Sequence, residues 1–150
     1  MSEIKIVPFS IYRPNSQSTG AALQIHPAND KTCLFMECTN AQVKGEKKFD
    51  WTNKIIVKLE PVDCGKIMLV LTGKSSKVEL YHSTPKYNTS ISIVAQDKVP
   101  KVFYLNIFRK TQDADGKVSQ NKVSVAFGED DAAILSALIN FMFPYMYSWC

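Results

Sequence analysis

Val102-Phe103-Tyr104-Leu105-Asn106-Ile107-Phe108-Arg109-Lys110 is the stretch that decides the fold. It alternates with a period of two, as a strand does. Phe103, Leu105 and Ile107 share one face; Val102, Tyr104, Asn106, Phe108 and Lys110 share the other. Both faces carry aromatic rings, so one helix can cover only one of them. The face left open presents flat rings beside cations, chemistry suited to gripping an unpaired base and its phosphate.

Downstream, Asp113-Ala114-Asp115-Gly116 is a polar turn. It leads into a strand expected over residues 122–127. Glu129, Asp130 and Asp131 then load the first turn of a helix, where acids favour the positive end of the dipole. Ile134, Leu135, Leu138, Ile139, Phe141 and Met142 give that helix an apolar face at spacings of three and four. The face is wide, which predicts burial beyond one sheet, against another subunit. Pro144 is expected to kink or break the helix. Residues 146–150 would then form a packed tail.

Upstream the same pattern is found again. Strand-like runs cover residues 4–13 (interrupted near Pro8), 21–26, 33–42 and 49–59. Glu60-Pro61-Val62-Asp63 opens a helix, with Pro at the first helical position and acids at its start. It runs through Ile67, Met68 and Leu71 and stops near Gly73. Strands over residues 78–82 and 89–95 precede the opening stretch. The order is four strands and a helix, repeated after about 70 residues, with almost no identity between the halves. The expected class is therefore α+β, with four strands followed by a helix in each half.

A chain of 150 residues with 45% hydrophobic content can bury a core, and one domain is expected over residues 1–150. No apolar run approaches the roughly 18 residues a membrane span needs. Met1-Ser2-Glu3-Ile4-Lys5 resembles neither a secretory signal nor a transit peptide. The expected location is the cytoplasm or nucleus, or an organelle after trimming. The net charge of +4 is mildly basic, and its distribution matters more than its sum. Lys44, Lys47, Lys48, Lys54 and Lys58 form one cluster; Lys98, Lys101, Arg109, Lys110, Lys117 and Lys122 form another.

The four cysteines contain no C-x-x-C pair, and His26 and His82 are isolated, so a zinc site is not expected. Neither a P-loop nor a Ser-His-Asp arrangement stands out, and no cofactor or catalytic residue is expected.

The short motifs, taken in order, resemble one family. Phe9-Ser10-Ile11-Tyr12-Arg13 and Gly20-Ala21-Ala22-Leu23 are similar to the opening strands of the Whirly family of single-stranded DNA-binding proteins. Phe49-Asp50-Trp51-Thr52-Asn53-Lys54 stands where that family has Tyr-Asp-Trp-(Thr/Ser)-Arg-Lys. Val78-Glu79-Leu80-Tyr81-His82-Ser83-Thr84-Pro85 resembles its Cys-Glu-Phe-Phe-His-Asp-Pro segment, and Phe143-Pro144-Tyr145-Met146-Tyr147-Ser148-Trp149-Cys150 its Ile-Pro-Tyr-Leu-Leu-Gly-Trp close. The trypanosomatid mitochondrial RNA-binding proteins share the fold and are about equally similar. The resemblance implies two antiparallel four-stranded sheets per subunit, each followed by a helix, in a tetramer joined by helices, with nucleic acid lying across exposed sheets. Two departures stand out. Residues 14–19 lack the lysines of the family's Lys-Gly-Lys-Ala-Ala-Leu, and Phe49 replaces a tyrosine.

Candidate nucleic-acid-binding residues follow. Phe49 and Trp51, two apart, would share a strand face as a platform for bases, with Lys47, Lys48 and Lys54 near phosphates. Alternatively Trp51 packs beneath the second helix. Tyr104, Asn106 and Phe108, with Arg109, Lys110 and Lys122, form a second candidate face; the alternative is a face covered by a neighbouring subunit. Tyr12 with Arg13 is a further mixed pair, as is Tyr81 with His82, although Tyr81 also reads as a core phenol. The expected function is binding of single-stranded nucleic acid, DNA favoured over RNA and largely without sequence preference. An RNA-annealing factor and a structural, protein-binding module are the alternatives.

Overall fold

The computed structural model describes residues 6–13, 20–41 and 49–150. The chain folds as two antiparallel four-stranded sheets, each followed by a helix. The first sheet runs β1 (Phe9–Arg13), β2 (Ala21–Pro27), β3 (Leu34–Asn40) and β4 (Ile55–Leu59), in that order. Helix α1 (Pro61–Leu71) follows. The second sheet runs β5 (Lys77–Ser83), β6 (Tyr87–Ala95), β7 (Val102–Gln112) and β8 (Val118–Gly128), again in chain order, and α2 (Glu129–Met146) closes the fold.

Local chemistry sets the boundaries. Pro61 sits in the first turn of α1, and the Glu60 amide donates to Asp63 Oδ2 at 3.0 Å in a reciprocal capping box. Gly73 ends that helix at φ +80°, a conformation that costs a glycine little. Asp113 Oδ1 accepts from the amides of Asp115 and Lys117, which fixes the β7–β8 turn.

The inward faces of both sheets and the buried sides of both helices form one core. Phe103 and Phe127, opposite each other in register, stack at 5.4 Å. Strand β8 packs against β1, β2 and β3, so the second sheet's last strand lies across the first sheet.

Four details differ from the sequence expectation. No strand covers residues 49–59 continuously: Phe49 makes an isolated bridge to Ala41, Trp51–Asn53 is a single 3-10 turn, and β4 begins at Ile55. The reason is local. Asn53 donates to Asp50 through both its amide N–H and its side chain, competing with the ladder. Strands β7 and β8 are longer than expected and form an eleven-residue paired ribbon. Pro144 does not stop α2, which continues to Met146. The Asn140 carbonyl it leaves without an N–H belongs to an exposed residue, where water can serve. The tail beyond Met146 is not packed. Ser148 at φ 58° turns the chain back, the Trp149 amide bonds to the Pro144 carbonyl, and the Trp149 side chain is 84% exposed.

Candidate nucleic-acid interface

Each sheet keeps one face off the main core, and the two outer faces differ in chemistry. On the first sheet, Tyr12, Ala22 and Thr39 stand in one row, and Ser10, Gln24, Glu37 and Ile56 in the next. Phe49 folds over this face with Ala22 and Ala41, and Trp51 packs against that small cluster rather than in the main core beneath α2. Phe49 is 8% exposed and its ring lies 5.6 Å from that of the exposed Tyr12. Thr39 Oγ1 donates to the Asp50 carbonyl and ties the segment down. Phe49 and Trp51 are therefore brought together by packing, and not by strand alternation.

Among the described residues, the cations of the first sheet are engaged. Lys54 Nζ lies 2.6 Å from Glu37 Oε1, and His26 Nε2 lies 3.2 Å from Glu37 Oε2. Burial pushes the Glu37 carboxyl up, but the hydrogen bond and charge of Lys54, with His26, hold it below the usual value. Arg13 donates to Asp131 Oδ2 at 2.7 Å and to the Ala126 carbonyl at 3.1 Å, which pins β1 to the second sheet and to α2. Lys58 pairs with Glu60 at 3.3 Å. Lys47 and Lys48 lie outside the described residues.

On the second sheet the register assembles three rows. Tyr81, Ser90, Phe108 and Lys122 stand side by side across β5 to β8. Ser83, Asn88, Lys110 and Gln120 form the next row, and Glu79, Ser92, Asn106 and Ser124 the row on the other side. Tyr104 is exposed one row further on, beside Val94 and Ala126. Tyr81 is 74% exposed, so it is not a core phenol, and its hydroxyl donates to Glu79 at 3.2 Å. A depression of about 230 Å³ opens here, walled by Tyr81 and Phe108.

Ion pairs among the described residues use Arg13, Lys54, Lys58, Lys77 and the two histidines, and leave Lys110 and Lys122 unpaired. Both lysines are exposed. Arg109 sits on the inward side of β7. It donates to Thr89 Oγ1 at 2.8 Å and to the Ile56 carbonyl at 2.7 Å, and so joins the two sheets. Burial pulls its pKa below the ordinary arginine value, with Tyr87 opposing.

The structure thus gathers Tyr104, Asn106, Phe108, Lys110 and Lys122 on one outer face. It gathers Tyr12, Phe49, Trp51 and Lys54 on the other. It sets Arg13 and Arg109 at junctions between the sheets. Tyr81, which the sequence offered both as a mixed pair with His82 and as a core phenol, joins this outer face. Its signal was present: alternation along β5 puts it on the face opposite Leu80, the buried residue beside it.

No family model matches the sequence, and no curated protein matches it either. Solved structures match the fold over 99% of the chain. WHY1 from Arabidopsis thaliana superposes with a TM-score of 0.75 at 14% identity over 89% of its own length. WHY3 from Arabidopsis thaliana gives 0.71 at 17% over 92%. The plant transcriptional regulator PBF-2 gives 0.68 at 18% over 86%. These neighbours are Whirly proteins, and the architecture of this chain is Whirly-like.

Proposed function

We propose that this protein binds single-stranded nucleic acid, DNA in preference to RNA, without catalysing a reaction on it. The observation that carries the reading is the row Tyr81, Ser90, Phe108 and Lys122, flanked by Lys110, on an open sheet face. Two rings separated by a small residue offer stacking surfaces, and every base has a face to stack, so binding tolerates many sequences. Lys110 and Lys122 stand where they can neutralise phosphates, which makes affinity fall as salt rises. The first sheet's outer face contributes less, because Lys54 already holds a carboxylate. The likeness in fold to a plant transcriptional regulator fits a role at nucleic acid.

Self-association, as a homotetramer, completes the proposal. Ile134, Leu138 and Phe141 are exposed along α2, and Phe141 is 64% exposed. Leu69 and Val62 of α1 are exposed as well. A second copy packed here would bury apolar side chains that water otherwise contacts. It would also place several binding faces on one strand, raising effective concentration. The proposed setting is the cytoplasm, nucleus or an organelle. Among the described residues no helix is long and apolar enough to cross a membrane.

Fluorescence anisotropy with labelled single-stranded DNA, single-stranded RNA and duplex DNA of matched sequence, across a salt series, tests the reading. Salt-dependent preference for single strands is expected, with DNA ahead of RNA. Equal affinity for duplex and single strand at low salt would overturn it. RNA ahead of DNA would turn the function towards RNA annealing.

A further inference from the structure

One side-chain arrangement occurs twice on the outer face of the second sheet. Ser83 Oγ donates to Asn88 Oδ1 at 2.6 Å, and Ser124 Oγ donates to Asn106 Oδ1 at 2.6 Å. The strand register sets these pairs in the rows on either side of Tyr81, Ser90 and Phe108. The ring row is therefore flanked by two asparagine amides. In each of them a hydroxyl proton takes one lone pair of the carbonyl oxygen and orients the amide. What each asparagine turns to a ligand is its NH2 group, a donor. Lys110, beside Asn88, also only donates. Glu79, the acidic acceptor on this face, is occupied by Lys77 at 2.8 Å and by the Tyr81 hydroxyl. Around the rings Asn88, Asn106 and Lys110 offer donors, beside the Ser90 and Ser92 hydroxyls, which can donate or accept.

The rings also set a size. Tyr81 and Phe108 are two strand spacings apart, which is about 9.6 Å at the backbone. A ring, a base and a second ring stacked together span about 7 Å, two steps of about 3.4 Å. A single base placed between the two rings would have Ser90 as its floor. The depression of about 230 Å³ between them is open to solvent on the sheet's outer side.

We propose, resting on the nucleic-acid reading above, that this slot selects the edge of the base it takes, favouring thymine or uracil over cytosine. Uracil and cytosine share an outline, and thymine adds a methyl group at position 5. At position 4 thymine and uracil carry a carbonyl acceptor and cytosine an amino donor; at position 3 the roles are reversed, so the selection proposed is for the position-4 group. An amino group brought to Asn88 or Asn106 meets a second donor, and the hydrogen bond is not made. The carbonyl accepts instead. The result is a compositional bias laid over otherwise sequence-tolerant binding.

Anisotropy titrations of the full chain with oligothymidylate, oligodeoxyuridylate and oligocytidylate, all deoxyribose strands of equal length, test it. Oligothymidylate is expected to bind about fivefold tighter than oligocytidylate, the discrimination of one net hydrogen bond. The double variant Asn88→Ala, Asn106→Ala is expected to bring that ratio to near one. Ser83→Ala with Ser124→Ala frees both carbonyl oxygens, lets the amides turn over, and is expected to narrow the ratio while binding persists. Phe108→Ala is expected to weaken both ligands equally and keep the ratio. Oligodeoxyuridylate, which keeps the deoxyribose, is expected to follow oligothymidylate, which supports recognition of the edge alone; oligodeoxyuridylate that follows oligocytidylate instead overturns it. Equal affinity of the wild type for thymidylate and cytidylate overturns the inference, as does a ratio unchanged in the asparagine double variant. Binding of none of the three strands overturns instead the nucleic-acid reading on which it rests.

Discussion

The guanidinium of Arg109 lies over the ring of Tyr87, 4.0 Å from its centroid. The same group reaches Thr89 on the neighbouring strand and the Ile56 carbonyl on the other sheet. Its charge is therefore spent inside the fold. Removal by Arg109→Ala is expected to destabilise the protein by about 1–3 kcal/mol, leaving the Ile56 carbonyl without its donor. Urea denaturation of both proteins checks this. Arg109→Lys should recover only part of the loss, because an ammonium cannot both stack and fork. A variant of unchanged stability would return Arg109 to the list of phosphate contacts.

Glu37 gives a pH-dependent prediction. Its folded pKa lies below the unfolded value, through Lys54 and His26 acting against burial. A depressed carboxyl pKa contributes stability above the unfolded pKa and loses it as pH falls through the folded one. Glu37→Gln is expected to cost roughly 1–3 kcal/mol at neutral pH, because Lys54 loses its partner. The difference from wild type should shrink as pH is taken below about 4. Thermal melts across that range measure it, and a gap that widens on acidification would reverse the sign.

Stacking and charge on the second sheet separate in a binding assay. Phe108→Ala should weaken single-strand binding by roughly 1–3 kcal/mol with little change in salt dependence. Lys110→Ala and Lys122→Ala should each lower the slope of log affinity against log salt by about 0.7. Lys54→Ala should change the slope less, since Lys54 is already paired with Glu37. Equal slopes in all three lysine variants would mean that the first sheet carries as much phosphate contact as the second.

Helix α2 is expected to mediate assembly. Phe141→Glu places a charge on the exposed apolar face of α2 and should leave the fold intact while lowering the mass measured by sedimentation. An unchanged mass would assign assembly to another surface.

Thiol labelling reports the core. Burial pushes the Cys33 and Cys38 thiols up and the Cys64 thiol up to about 12, and all three side chains are buried. Cys150 is exposed. A maleimide at neutral pH should modify Cys150 rapidly and the other three only on unfolding, because the thiolate is the nucleophile. Mass spectrometry counts the adducts.

The sequence by itself determined the strands, the helices and their order, because those signals are local. Alternation placed Phe103, Leu105 and Ile107 inward and Tyr104 and Phe108 outward, as the structure has them. Glu60-Pro61 and Glu129-Asp130-Asp131 marked the helix starts. Alternation failed at residues 49–53, where side chains of Asp50 and Asn53 bond locally and displace the ladder. What only the tertiary structure decided is which cations remain available. Arg13 meets Asp131 across 118 positions of sequence, and Arg109 meets Ile56 across 53. Period-two patterning assigns a residue to a face but is silent about what lies against that face. Strand register is likewise non-local: it put Tyr81 in line with Phe108 and set an asparagine on each side of them. A base-binding surface depends on such neighbours across strands, and those are fixed only when the sheets pair and pack.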